Sequence, residues 1–204
     1  PMIREEVSKL KIYLFLNTLD YRGKRNIYNT TFVIDPKGSI IGKYDKIHSG
    51  FEVVNRLGKS HKVFDTPYAP IGVIICADRQ FPEGPRTTAL MGARVLIVNS
   101  YGMCGEGANE RFIRQRAYEN GLFLVFCHPE ETVIVSPEGR IIASTCKWEH
   151  FIVREIDPNE SIGMGVFGDA TMAKTYKIKE NIFAYKKRYE DYLEKKKKED
   201  QEKK

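Results

Sequence analysis

The chain is 204 residues long, with 42% hydrophobic and 29% charged side chains and a formal net charge of +6. These are the proportions of one folded globular domain, and they exclude a collagen-like, low-complexity or wholly disordered chain. Charged residues or Gly interrupt every apolar stretch before the ~18 to 20 residues a spanning helix needs; half of the positive excess sits in the last 19 residues, nine basic against six acidic, so the body lacks the clustered basic face of a nucleic-acid binder.

In chain order, residues 2–10 place Ile3, Val7 and Leu10 at helical spacing, and Ile12 to Leu16 is an apolar run of strand length. DYRGKRN is a polar turn around Gly23. YNTTFVID and SIIGKYDKI then read as two strands of a hairpin joined by DPKG. Further strands are predicted at Lys62 to Asp65, IGVIICA, RVLIVNS, LFLVFCH, TVIVSP and FIVREI, all rich in β-branched or aromatic residues. Helices are predicted from Glu83 to Met91 and from Asn109 to Asn120, each stopped by a Gly, at 92 and 121. SPEGRIIAS repeats the turn chemistry of DPKGSIIGK. This order predicts an α/β fold with a mixed sheet and helices on one face. From Tyr185 the chain becomes so charged that a short helix with a disordered far end is expected.

The four cysteines, at 76, 104, 127 and 146, are too few and too scattered for a disulfide-framed secreted scaffold, and no metal-ligand spacing appears. The first residues have no signal-peptide pattern, so a cytoplasmic, reduced protein is expected. Position 1 is Pro, and the chain opens inside what reads as the end of an amphipathic helix, which points to truncation.

The segment richest in chemistry is IGVIICADRQFPEG, where a buried strand ends at Cys76 and turns into a helix. A Cys there can be an inert core residue; it can also be a nucleophile whose following backbone N–H groups form an oxyanion hole. Thirty residues earlier, GKYDKIH carries Lys46, a cation able to lower a thiol pKa or to stabilise an oxyanion. Arg79, three residues past the Cys, can meet a substrate carboxylate or pair with Glu83 or Asp78. Ser100 and Tyr101, ending the neighbouring strand, are pocket candidates; the Gly-rich loop carrying Cys104 can line the same pocket or hold only a bystander thiol. His128 beside Cys127 is not a dyad, because adjacent strand residues point to opposite faces. Cys146, Trp148 and His150 read as packing or surface residues.

The ordered combination YNTTFVIDPKGSIIGKYDKIH, GVIICADRQFPE, GARVLIVNS and RQRAYEN resembles the nitrilase or carbon–nitrogen hydrolase superfamily from Ile3 to about Asp157. The resemblance implies an α-β-β-α sandwich that pairs into homodimers or larger homo-oligomers, over a domain at 1–184 with the charged tail at 185–204. It matches Lys46 and Cys76 to the catalytic Lys and nucleophile, and Glu52 to a second Glu. It also implies an oxyanion contact from the Ala77 backbone and a small-molecule amide or nitrile substrate, with no cofactor, metal, nucleic acid or membrane. The expected activity is hydrolysis of non-peptide C–N bonds in small linear amides or carbamoyl compounds through a thioester. The family's first Glu lies on a strand upstream of this sequence. Glu5 and Glu6 sit on the wrong element to replace it, and Glu83 and Glu119 fall in motifs expected to hold local structure. The alternative is therefore a catalytically silent nitrilase-like fragment or subunit.

Overall fold

The structure, a computed structural model, describes residues 2–49, 55–102, 107–145 and 150–161. Glu52, Cys104, Cys146, Trp148 and the charged tail lie outside the described residues. The first helix, α1 (Met2–Leu10), buries Val7 and leads into an antiparallel sheet of β1 (Leu14–Tyr21), β2 (Ile27–Ile34) and β3 (Ile40–Asp45). A two-residue strand, β4 (Asn55–Arg56), pairs parallel with the start of β2.

β1 runs five residues beyond the predicted apolar segment, in register from Leu14 opposite Ile34 to Tyr21 opposite Ile27. The polar residues of NTLDY are compatible with a strand because this half faces solvent and its ladder to β2 holds it extended. The β2–β3 turn forms as its Pro–Lys–Gly sequence requires. Asp35 Oδ1 accepts from the N–H groups of Lys37 and Ser39 at 2.9 and 2.8 Å, and Gly38 takes φ +75°.

The second sheet has the order β10-β9-β8-β7-β6-β5. Its strands are β5 (Lys62–Phe64), β6 (Ile71–Ile75), β7 (Val95–Asn99), β8 (Phe123–Cys127), β9 (Thr132–Val135) and β10 (Ile141–Thr145). β6, β7 and β8 are mutually parallel, connected through α2 (Glu83–Leu90) and α3 (Ala108–Asn120), and antiparallel strands flank them. The mixed sheet is thus present, and the hairpin residues form the second sheet of the expected sandwich.

Strand parity builds the layers. Ile74, Leu96, Val98, Leu124 and Phe126 point outward and pack with Ile113 and Ala117 of α3. Val73 and Ile75 point inward, against Tyr44 of β3, with Phe15 and Phe64 beside them. Asn99 and Thr31 join the two sheets through a buried 3.1 Å hydrogen bond from Nδ2 to Oγ1. The result is an α/β sandwich in which two β-layers share a core and helices cover the outer face of the larger one.

FIVREI, predicted as a strand, is a correction. Residues 151–156 make no sheet pairing, and Phe151 and Val153 are each 85% exposed. The alternation that suggests a strand instead seats Ile156 against Ala69, Val95 and Phe123.

An ion-pair cluster closes the open end of the hairpin. Arg22 grips Asp45 through both carboxylate oxygens at 2.6 and 2.9 Å, reaches Asp20 at 2.6 Å, and lies 4.0 Å from the Tyr28 ring centre. Burial pushes both carboxyls up, but the Arg22 hydrogen bonds more than offset it and hold both below their ordinary value near 3.8. The stabilisation is present above that value and is lost as pH falls through the lower folded values. We predict that Arg22→Met lowers stability at pH 7 by about 1–2 kcal/mol in urea unfolding. The gap should close toward pH 2; a gap that persists there means that Arg22 acts through its packing on Tyr28.

Candidate active site

At the C-terminal end of β6 the chain leaves the sheet into a short 3-10 helix, Cys76–Gln80. Cys76 takes φ +49°, a conformation side chains other than Gly rarely adopt. Two carbonyls of this turn, those of Arg79 and Gln80, accept from Arg116 of α3, each at 3.0 Å. Glu119 in turn holds Arg116 at 2.8 Å, and Asn120 donates back to the Arg116 carbonyl at 2.8 Å. The RAYEN segment thereby fixes the turn from behind.

Asp78, fully buried, is the second anchor. Its Oδ2 accepts from the Ile75 N–H at 3.0 Å and the Tyr44 hydroxyl at 2.7 Å. Its Oδ1 accepts from the His48 N–H at 2.8 Å and lies 2.9 Å from His48 Nδ1. One carboxylate therefore ties the end of β6 to β3 and to the segment that follows Lys46.

Lys46, two residues before His48, is only 2% exposed. Its N–H donates to the Asn29 carbonyl at 2.9 Å, and its own carbonyl accepts from the Gly58 N–H at 2.7 Å. Position 58 must be Gly for that approach, because a Cβ there would stand 2.1 Å from the Asp45 carbonyl oxygen. Asp45 is in turn clamped by Arg22 and by Thr30 Oγ1 at 2.8 Å.

The remaining wall is Ser100–Gly102, just beyond β7. The Ser100 N–H donates to the Cys127 carbonyl at 2.9 Å. The Tyr101 carbonyl lies 2.6 Å from His128 Nε2, while its ring is 79% exposed. Gly102 lies so near the sulfur that a Cβ would come within 3.3 Å of Cys76 Sγ. Since the Glu130 N–H donates to His128 Nδ1 at 3.1 Å, the ring carries its proton on Nε2 and donates to Tyr101.

These surroundings set the thiol chemistry. Burial pushes the Cys76 thiol up, but hydrogen bonds from Ser100, the Gly102 backbone and Arg79, together with the Lys46 charge, bring it below the ordinary thiol value of 9.0. Cys127 shows the contrast: burial alone pushes it up.

The structure thus brings Lys46, Cys76, Ala77, Arg79 and Ser100 together around one turn and leaves the Tyr101 ring exposed beside it. Arg79 is a correction. It has no exposed surface to offer a substrate carboxylate. Its guanidinium donates to Ser100 Oγ at 3.2 Å, the Gly102 carbonyl at 2.9 Å and Asn109 Oδ1. Asp78, one of its two expected partners, faces Tyr44 and His48 instead, and Glu83 is exposed in the first turn of α2. Sequence reasoning missed Asn109 and the anchoring role of Asp78. The available signal was an acidic residue two positions after a strand-terminal Cys. Among the described residues no group of three His, Cys, Asp or Glu could hold a metal ion, and no helix is long and apolar enough to cross a membrane.

A two-layer β-sandwich with a helix-covered outer face and a strained, acidified Cys beside a buried Lys defines a class of cysteine-centred α/β protein. The family follows from comparison: the carbon-nitrogen hydrolase profile matches residues 2–163. The chain belongs to the carbon–nitrogen hydrolase family, within the nitrilase superfamily. It is 30% identical over 173 residues to a hydrolase of Schizosaccharomyces pombe, covering 73% of this chain and 54% of that protein. It is 26% identical to omega-amidase NIT2 of Homo sapiens, covering 76% and 65%. The crystal structure of Saccharomyces cerevisiae Nit3, described as a member of branch 10 of the nitrilase superfamily, superposes with a TM-score of 0.72 at 27% identity, covering 77% of this chain and 64% of that one. The chain spans roughly half to two thirds of the length of these relatives.

Proposed function

We propose that this chain carries the nucleophilic half of an amidase-type carbon–nitrogen hydrolase site, acting on non-peptide C–N bonds of small linear amides or carbamoyl compounds. The single observation that carries this reading is the half-buried Cys76, held at φ +49° with its thiol below the ordinary value next to a buried Lys46. In this reading a general base takes the thiol proton and the sulfur attacks the amide carbon. The oxyanion develops against the Lys46 ammonium and the Ala77 N–H. The C–N bond breaks as the proton passes to the leaving nitrogen, and water then hydrolyses the thioester. Glu52, matched to the family's second Glu and outside the described residues, is the stand-in for that base within this sequence. The omega-amidases among the relatives support an amidase-type activity.

The test is ammonia release from short linear amides with and without a terminal carboxylate, N-carbamoyl compounds and nitriles, with mass mapping of the Cys76 peptide after rapid quenching. The expected result is ammonia from the linear amides and a hydroxylamine-labile acyl mass on Cys76. Release from none of them, with no adduct, would establish the silent-subunit alternative.

A further inference from the structure

Arg79 is fully buried, yet it lies one turn behind a sulfur that the proposed reaction needs as an anion. A buried guanidinium is unfavourable unless acceptors and a nearby anion compensate for its lost hydration. The acceptors are Ser100 Oγ, the Gly102 carbonyl and Asn109 Oδ1, and the flat face lies 5.4 Å from the Phe126 ring centre. Two of these acceptors belong to the residues that also hydrogen-bond the sulfur, since Ser100 and the Gly102 backbone both reach Cys76. Gly102, which the guanidinium holds, stands so close that a Cβ on it would come within 3.3 Å of the sulfur. One rigid fork therefore fixes both donors, while the charge that favours the anion comes from Lys46.

We propose that Arg79 is a positioning residue for Cys76: its guanidinium pins the 100–102 wall against the sulfur, so that the donors of that wall stand ready for the developing thiolate. The proposal rests on the nucleophile reading above. Under it, thiol activation is built into the turn itself and precedes any contact with substrate. Asn109, the first-turn residue of α3 that receives the guanidinium, sets its direction and is 2% exposed.

The experiment is alkylation of the full 204-residue chain by iodoacetamide from pH 5 to 9, with peptide mapping of Cys76 and Cys127. In the unsubstituted chain Cys76 should alkylate far faster than Cys127 at pH 6, with a midpoint below that of an ordinary thiol. Arg79→Met should move the midpoint up and slow alkylation at pH 6 about threefold or more, because the Ser100 and Gly102 donors lose their hold while Lys46 stays in place. Arg79→Lys should restore only part of the midpoint, since it returns the charge without the fork. Asn109→Asp keeps Arg79 but neutralises it locally, and should also raise the midpoint. Slow alkylation of Cys127 reports an intact fold in each variant; if Arg79→Met exposes Cys127, Asn109→Asp decides alone. Unchanged Cys76 profiles in folded Arg79→Met and Asn109→Asp would overturn the proposal. An unsubstituted Cys76 as slow as Cys127 throughout would instead overturn the nucleophile reading, and the proposal with it.

Discussion

Cys76→Ala is expected to abolish ammonia release while moving the thermal midpoint by no more than a few degrees. Only the sulfur is removed, from a half-buried position where the loss of packing is small. Ala keeps the same positive φ and so neither adds to nor relieves the backbone strain. Cys76→Gly extends the argument. Gly in place of Ala normally lowers stability by roughly 0.5–1 kcal/mol, because the unfolded chain gains freedom. At φ +49° the order should reverse, since a side chain in the left-handed region costs about 1–2 kcal/mol that Gly does not incur. The Gly variant should therefore melt at or above the Ala variant while both are inactive. Such a pattern marks strain maintained for a nucleophile at the expense of stability. Turnover retained in Cys76→Ala would remove the sulfur from the mechanism, and a Gly variant clearly less stable than the Ala variant would remove the strain.

How much of this was legible beforehand depended on whether the deciding contact was local. The hairpin turns were readable because Pro36, Gly38, Pro137 and Gly139 impose their conformations within four residues. The parallel strands were readable because burial on both faces leaves uninterrupted apolar runs. The Lys46 and Cys76 positions came from motif order and resemblance, and the structure brings them to one turn. What sequence reasoning could not supply was partner choice across 21 to 37 residues of chain. Arg79 lies in the turn next to Asp78 and reads as a substrate-facing or ion-paired cation; only the docking of Asn109 and of the 100–102 segment buries it. FIVREI has the composition of a strand, but strand formation needs a neighbour, and its residues pair with no strand among those described. The length of β1 was hidden for the converse reason, since its ladder to β2 overrides the poor strand propensity of Asn17 and Asp20.

Asp78→Ala should be among the most destabilising single changes in the described residues, at about 3–5 kcal/mol. The side chain has no solvent exposure, and its removal orphans the Ile75 N–H, the Tyr44 hydroxyl and the His48 N–H together. Tyr44 has no alternative charge state to adopt, because burial first and the Asp78 carboxylate second push its phenol far above the ordinary tyrosine value and keep it a donor. For a chain of this size the loss corresponds to a fall in thermal midpoint of about 10 °C. Asp78→Asn preserves the shape but turns an N–H toward groups that are themselves donors, so it should recover only part of the loss. A double-mutant cycle assigns the cause: Tyr44→Phe should be markedly less harmful on the Asp78→Ala background than alone, because the hydroxyl has already lost its acceptor. The same substitution also reaches the chemistry. His48 stands two residues after Lys46, and its backbone bond to Asp78 is what carries the position of the Lys46 segment to the Cys76 turn. Turnover in folded Asp78→Asn should therefore fall well below the unsubstituted level at temperatures where the variant is fully native. If both Asp78 variants unfold within 1 kcal/mol of the unsubstituted chain, the strut between the two halves of the site lies elsewhere than in this carboxylate.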